Sequence, residues 1–157
     1  MIKAFVVDND RLRVVDDLLA NGDAVVWADL LNPTKEEEAT IESWLGVAIP
    51  TREEMEEIEI SSRLYVEDGA YFMTATLPAQ TEVDDPLMSP VTFVLAGTRL
   101  ITVRYHEPKA FKTFPQRAEK VATGCTSGDP LMIGLLAALI NRLADILERA
   151  GRDIEAI

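Results

Sequence analysis

Strands and capped amphipathic helices taking turns along the chain predict an α/β domain that finishes in one long helix. Three observations carry that expectation. Ile2–Val7 and Ala24–Leu31 are short apolar runs, β-branched in large part and bounded by turn residues, as strands are. Asn32–Gly46 and the stretch from Thr51 carry helix start signals followed by helical apolar spacing. Pro130–Ile157 keeps a 3.5-residue apolar period to its end. The 157 residues, 48% hydrophobic and 27% charged, suit one ordinary folded domain.

Ile2–Val7 runs into Asp8-Asn9-Asp10, turn chemistry that lets Leu12–Val15 return as a hairpin partner. Ala24–Leu31 reads as a buried central strand. Asn32 is then the expected N-cap, with Pro33 at the first helical position, where its missing N–H costs nothing. Glu36, Glu37 and Glu38 suit the positive end of that helix, Ala39, Ile41, Trp44 and Leu45 point inward, and Gly46 stops it. Thr51 caps a second, short helix with Glu54 at capping-box spacing, and Met55 with Ile58 forms its apolar stripe.

From Ser61 to Tyr105 the period becomes that of strands. Arg63–Glu67 and Ala70–Pro78 flank the hairpin turn Asp68-Gly69. Val91–Leu95 and Arg99–Tyr105 flank Ala96-Gly97-Thr98. Between the hairpins, Thr81–Pro90 is acidic and proline-containing and is expected to be an exposed loop. Pro108–Thr123 reads as a helix interrupted around Pro115, and Thr126–Asp129 as a loop. In the last helix, Met132, Leu136, Leu139, Leu143, Ile146, Ala150 and Ile157 form the expected apolar seam.

Composition excludes several functions. With 15 Lys+Arg against 27 Asp+Glu, the net charge of −12 opposes binding to nucleic acid or to an anionic membrane surface. Cys125 and His106, one of each residue type, rule out an internal disulfide and any Cys- or His-rich metal cluster. The best apolar run, Leu131–Ile140, stops at Asn141 and Arg142, short of the roughly 20 residues a bilayer demands. No phosphate-cradling glycine loop or nucleophile elbow is present, and among so many solvated acids no acid/base pair stands out. The chain is not expected to be an enzyme.

One cluster points to chemistry. Nine acids (Glu36, Glu37, Glu38, Glu42, Glu53, Glu54, Glu56, Glu57 and Glu59) crowd the two helices, against the single base Arg52 in the second. Most such runs are solvated faces. The alternative is a hard divalent cation, which prefers carboxylate oxygen and keeps several waters. One helix face alone makes a weak site, and a partner surface with a further carboxylate would strengthen it.

The chain resembles the CorA-type magnesium and cobalt transporters. The resemblance rests on Val26-Trp27-Ala28-Asp29-Leu30-Leu31-Asn32-Pro33 and on the block from Pro50-Thr51-Arg52-Glu53 through Glu56-Glu57-Ile58-Glu59 to Arg63. The hairpin at Glu67-Asp68-Gly69, the Thr92–Arg104 hairpin and the helix Leu131–Ile157 follow in the family's order. The resemblance implies a mixed β-sheet with helices on both faces, an α/β/α sandwich. Residues 1–129 would form the cytosolic regulatory domain, and 130–157 the start of a long stalk-like helix that leads toward transmembrane helices outside this sequence.

It also implies a homopentamer in the plasma membrane that senses cytosolic Mg2+ and is gated by it, with Mg2+ or Co2+ transported. Glu56 and Glu57 fall on the family's regulatory metal position, while another of its acidic positions falls on Ala137. A zinc-transporting relative of the same architecture, and a helix-mediated interaction module without a metal role, are the competing readings.

Overall fold

A computed structural model describes residues 1–57, 59, 63–80 and 86–157. Its centre is a seven-stranded sheet in the order β2-β1-β3-β7-β6-β5-β4. The strands are β1 (Ile2–Asp8), β2 (Arg11–Val15), β3 (Val25–Leu31), β4 (Leu64–Glu67), β5 (Ala70–Ala79), β6 (Leu87–Ala96) and β7 (Arg99–Arg104). Every neighbouring pair is antiparallel except β3 and β7, which run parallel from Trp27 opposite Leu100 to Leu31 opposite Arg104. The β1–β2 turn is held by positive φ at Asn9 and Asp10, and the β4–β5 turn by Asp68 and Gly69. Two consecutive left-handed residues match the twist of the strands they join.

Strand alternation divides the core in two. Ala28, Phe72, Val94 and Ile101 face one layer, with Ile41 of α1 (Lys35–Leu45) and Met55 of α2 (Arg52–Glu57). Trp27, Phe93 and Leu100 face the other, under α3 (Ala110–Lys120) and α4 (Gly128–Glu155). The sheet therefore carries helices on both faces, as expected. Gly128 lets the start of α4 lie against the β6–β7 hairpin. Its N–H donates to the Thr98 carbonyl at 2.7 Å, and a Cβ there would sit 2.7 Å from the Arg99 carbonyl carbon.

Several expectations need correction. Thr34, not Asn32, caps α1: its side chain accepts from the Glu37 amide while the Glu37 carboxylate accepts from the Thr34 amide. Asn32, at φ +45°, turns the chain out of β3 instead. Ala39 is exposed, although Ile41 is fully buried and Gly46 ends the helix in the left-handed conformation. Leu87–Pro90 is strand, not loop, and residues 81–85 lie outside the described residues, as does Ile58.

Proline misled the strand reading for a local reason. Pro90 pairs with Thr76 of β5, but β7 begins its pairing with β6 only at Val91, so the other side of β6 is open there. Pro78 sits likewise beyond the end of β4. A residue without an N–H is tolerated where a strand has a free side. Pro115 does not interrupt α3 either. The helix continues through it, clamped by buried Phe111, Phe114 and Ala118.

The last helix begins at Gly128, not Pro130, and its seam differs from the expected one. Leu131, Met132, Leu135 and Leu139 are buried, Leu136, Leu143 and Ile146 are half-buried, and Ala150 and Ile157 are exposed. By length and composition alone α4 is long and apolar enough to cross a membrane. Its first three turns are nonetheless committed to the sheet.

Candidate metal-sensing face and a buried polar strap

The acidic face belongs to α2. Thr51 Oγ1 accepts from the Glu54 amide at 3.2 Å and the Glu54 carboxylate accepts from the Thr51 amide at 3.1 Å, the reciprocal cap that the spacing predicts. Met55, only 3% exposed, pins the helix to the core. With Met55 inward, Glu53, Glu54, Glu56 and Glu57 are exposed to solvent. Arg52 donates to Glu56 Oε1 at 3.1 Å and lies 5.0 Å over the Tyr105 ring.

Glu56 and Glu57, the two expected ligands, are adjacent, exposed and on one short helix. Glu56 shares its charge with Arg52 across a half-exposed pair, which solvent makes weak. Among the described residues no group of three or more His, Cys, Asp or Glu side chains could hold a metal ion. Among the described residues Glu56 and Glu57 therefore present two exposed carboxylates side by side, and a hard cation taking six or more oxygen ligands would need waters or other groups to fill its shell.

Cys125 and His106 are kept apart by different partners. The Cys125 thiol is buried and faces the Thr123 and Pro130 carbonyls at 3.8 and 3.6 Å. His106 bonds through Nε2 to the Leu77 carbonyl at 2.7 Å. A carbonyl only accepts, so Nε2 carries the proton and Nδ1 is a bare acceptor. Burial, reinforced by the nearby Arg104 charge, holds the imidazole below its ordinary pKa despite that hydrogen bond. Nothing here forms a nucleophile–base pair.

Sequence reasoning missed a buried polar strap across β3 and β7. Trp27 Nε1 donates to Thr102 Oγ1 at 3.0 Å, and Thr102 donates in turn to Asp29 at 2.7 Å. Arg104 grips Asp29 with Nε at 3.1 Å and Nη2 at 2.8 Å, and donates through Nη1 to the His106 carbonyl. Its guanidinium also lies 4.5 Å over the Phe111 ring. Asp29 and Arg104 are 4% and 6% exposed, so each charge depends on the other. The signal was present: one acid inside an apolar strand and one base ending another. Beside the strap, at the carboxyl ends of β3 and β7, opens a crevice of about 1000 Å³.

The family model described as CorA-like Mg2+ transporter protein matches residues 22–157. The magnesium transport protein CorA of Haemophilus influenzae is 27% identical over 157 residues, covering 100% of this chain and 50% of that protein. The CorA protein of Escherichia coli K12 is 30% identical over 161 residues, with the same coverage. The chain spans about half the length of the curated relatives it matches. In fold it is similar to the complete CorA magnesium transporter of Methanocaldococcus jannaschii, with a TM-score of 0.75 at 14% identity, covering 99% of this chain and 49% of that one. The soluble domain of the same protein gives 0.73, covering 62% of that chain.

Proposed function

We infer the function from a premise that the match over residues 22–157 establishes: this chain belongs to the CorA-like Mg2+ transporter family. On that basis it acts as the cytosolic regulatory domain of a divalent-cation transporter and performs no catalysis. Mg2+ is the transported and the sensed ion, with Co2+ a second cargo. The whole protein is a homopentamer in the plasma membrane, with this domain on the cytoplasmic side. Residues 1–129 are the sensing domain, and 130–157 lead into the stalk. Glu56 and Glu57 are the sensing ligands.

The observation that carries this reading is the incompleteness of the acidic face. A helix anchored by Met55 presents a carboxylate pair to solvent, without the further ligands a cage requires among the described residues. Such a pair binds weakly alone and firmly only when another surface closes over it. In a ring of identical subunits that surface is the neighbour, so cation binding is coupled to how subunits sit against each other. Millimolar dissociation is worth only about −4 kcal/mol, a scale suited to sensing an abundant ion.

The test measures the Mg2+ concentration for half-closure of the whole transporter in wild type and in E56Q/E57Q. Neutralising both carboxylates is expected to raise it roughly three- to tenfold, about 1 kcal/mol, with the open-state flux unchanged. A merely solvated face predicts superimposable curves, and that outcome removes Glu56 and Glu57 from the mechanism.

A further inference from the structure

Arg52 stands where helix physics alone would not put it. It opens α2, where the free amides and the helix dipole favour an acid. It also precedes Glu56 by four residues, the weaker order for an ion pair on a helix. The guanidinium is nonetheless held from two sides. Its Nε donates to Glu56 Oε1 at 3.1 Å, and its carbon lies 5.0 Å over the Tyr105 ring. Tyr105 directly follows β7 and packs half-buried against the core, so the ring is a fixed platform.

The acids around this cation are not alike. Glu56 carries it, whereas the exposed Glu57 carboxylate beside it makes no ion pair with any described residue. Glu38 and Glu53 lie within electrostatic reach of the same ring: burial holds the Tyr105 hydroxyl above its ordinary pKa, Glu38 and Glu53 add to the rise, and Arg52 opposes it. A guanidinium leaving Glu56 therefore finds other carboxylates around its platform. A divalent cation arriving at Glu56 meets a positive charge already in place. It must push the guanidinium off the carboxylate or sit within about 5 Å of it. At that distance the repulsion between charges of +2 and +1 lowers affinity on the order of tenfold in water, and roughly fivefold once physiological salt screens it.

We propose that Arg52 is a resident counter-cation of the sensing face: it holds Glu56 when no metal is bound, yields to the arriving divalent ion, and so sets the concentration at which the face responds. This rests on the reading above that Glu56 and Glu57 bind the sensed cation. Binding is then an exchange of one positive charge for two at Glu56, with Tyr105 keeping the displaced guanidinium close. Sensing an abundant ion calls for weak affinity. A tethered competitor supplies that weakness without removing a carboxylate ligand, and it returns to Glu56 as soon as the metal leaves.

The test measures the Mg2+ concentration for half-closure of the whole transporter in wild type, R52Q, R52K and Y105F. R52Q is expected to lower it about three- to tenfold, the opposite direction to E56Q/E57Q. R52K restores the charge and is expected to return most of the shift, and Y105F keeps the ring and is expected to match wild type. Added to E56Q/E57Q, R52Q is expected to have no further effect. The melting temperature of the 157-residue R52Q chain is expected to stay within about 2 °C of wild type, because the ion pair is half-exposed. A half-closure concentration that stays put or rises in R52Q overturns the proposal. So does a fall that R52K reproduces in full, since charge is then not the cause, or one that persists in the E56Q/E57Q background, since Glu56 is then not where the charge acts. A larger loss of melting temperature makes Arg52 a brace of α2 and overturns it as well. The two readings fail separately: superimposable curves for E56Q/E57Q and wild type remove the ligands, whereas an unshifted R52Q beside a shifted E56Q/E57Q removes only the counter-cation.

Discussion

Truncating Trp27 to alanine is expected to be the most damaging single change in the β3–β7 region. The indole is fully buried, stacks on Phe5 at 4.6 Å between centroids and meets Phe114 at 6.2 Å. Removing it forfeits the transfer energy of a large aromatic and leaves a cavity that the sheet fills poorly, about 3–5 kcal/mol together. A further loss follows from the strap: Thr102 Oγ1 loses the indole N–H and sits buried with one acceptor site vacant, about 1 kcal/mol or more. Against a total stability of about 5–15 kcal/mol, that is a large share. With a urea slope of about 2 kcal/mol per molar, the midpoint should fall by about 2 M. Far-UV circular dichroism reads the transition without relying on the lost fluorophore. Trp27→Phe keeps most of the packing and isolates the hydrogen bond, so its cost should be a fraction of the alanine cost. A midpoint that hardly moves in Trp27→Ala would refute the burial argument and the placement of β3 at the centre.

Two further outcomes are expected. Gly128→Ala places a methyl 2.7 Å from the Arg99 carbonyl carbon and 2.9 Å from the Leu100 nitrogen, backbone that cannot swing aside. It should cost about 1–3 kcal/mol, whereas Gly151→Ala, with nothing near its Cβ, should gain up to about 1 kcal/mol of helix propensity; equal effects at both sites would undo the close-approach argument. For His106 the folded pKa lies below the unfolded one, so the unfolded chain takes up a proton first as pH falls through about 6.5. Stability is then lost between that pH and the lower folded value, at no more than about 1.4 kcal/mol per pH unit. Thermal melts between pH 7.5 and 5.5 should show a shallower decline in His106→Gln than in wild type, and parallel curves would exclude the contribution.

What the sequence made legible was local. The left-handed turns at Asp8-Asn9-Asp10 and Asp68-Gly69, the Thr51–Glu54 box and the stop at Gly46 depend on neighbours within a few residues, and each was readable in one dimension. Thr34 displaced Asn32 as the α1 cap because β3 needed Asn32 for its exit turn, which no capping rule foresees. Pro78 and Pro90 looked like loop markers because pairing lengths of adjacent strands are invisible without the sheet. In α4, apolar residues occupy more than half the circumference, so two 3.5-residue stripes coexist. Periodicity names both and cannot tell which one the sheet takes.

The candidate site divides the same way. Its acids and its capped helix could be read from residue types, since carboxylates at the start of a short helix announce themselves. The strap of Trp27, Asp29, Thr102 and Arg104 joins residues more than 70 positions apart, and only the register of β3 against β7 brings them together.

The sheet's one parallel pair has a kinetic consequence. β4 to β7 form a meander whose hairpins close over short loops, and β1 to β3 form a second unit with local connections. Each can begin to assemble alone, but β3 meets β7 only when a loop of some seventy residues closes. Contacts of that sequence separation are late and slow to form. Docking the two halves is therefore the expected barrier to folding, and the Asp29–Arg104 pair sits on the line where they join. Its formation desolvates two charges at the moment of docking, which makes the ion pair a gate on the folding rate as well as a rivet in the finished sheet.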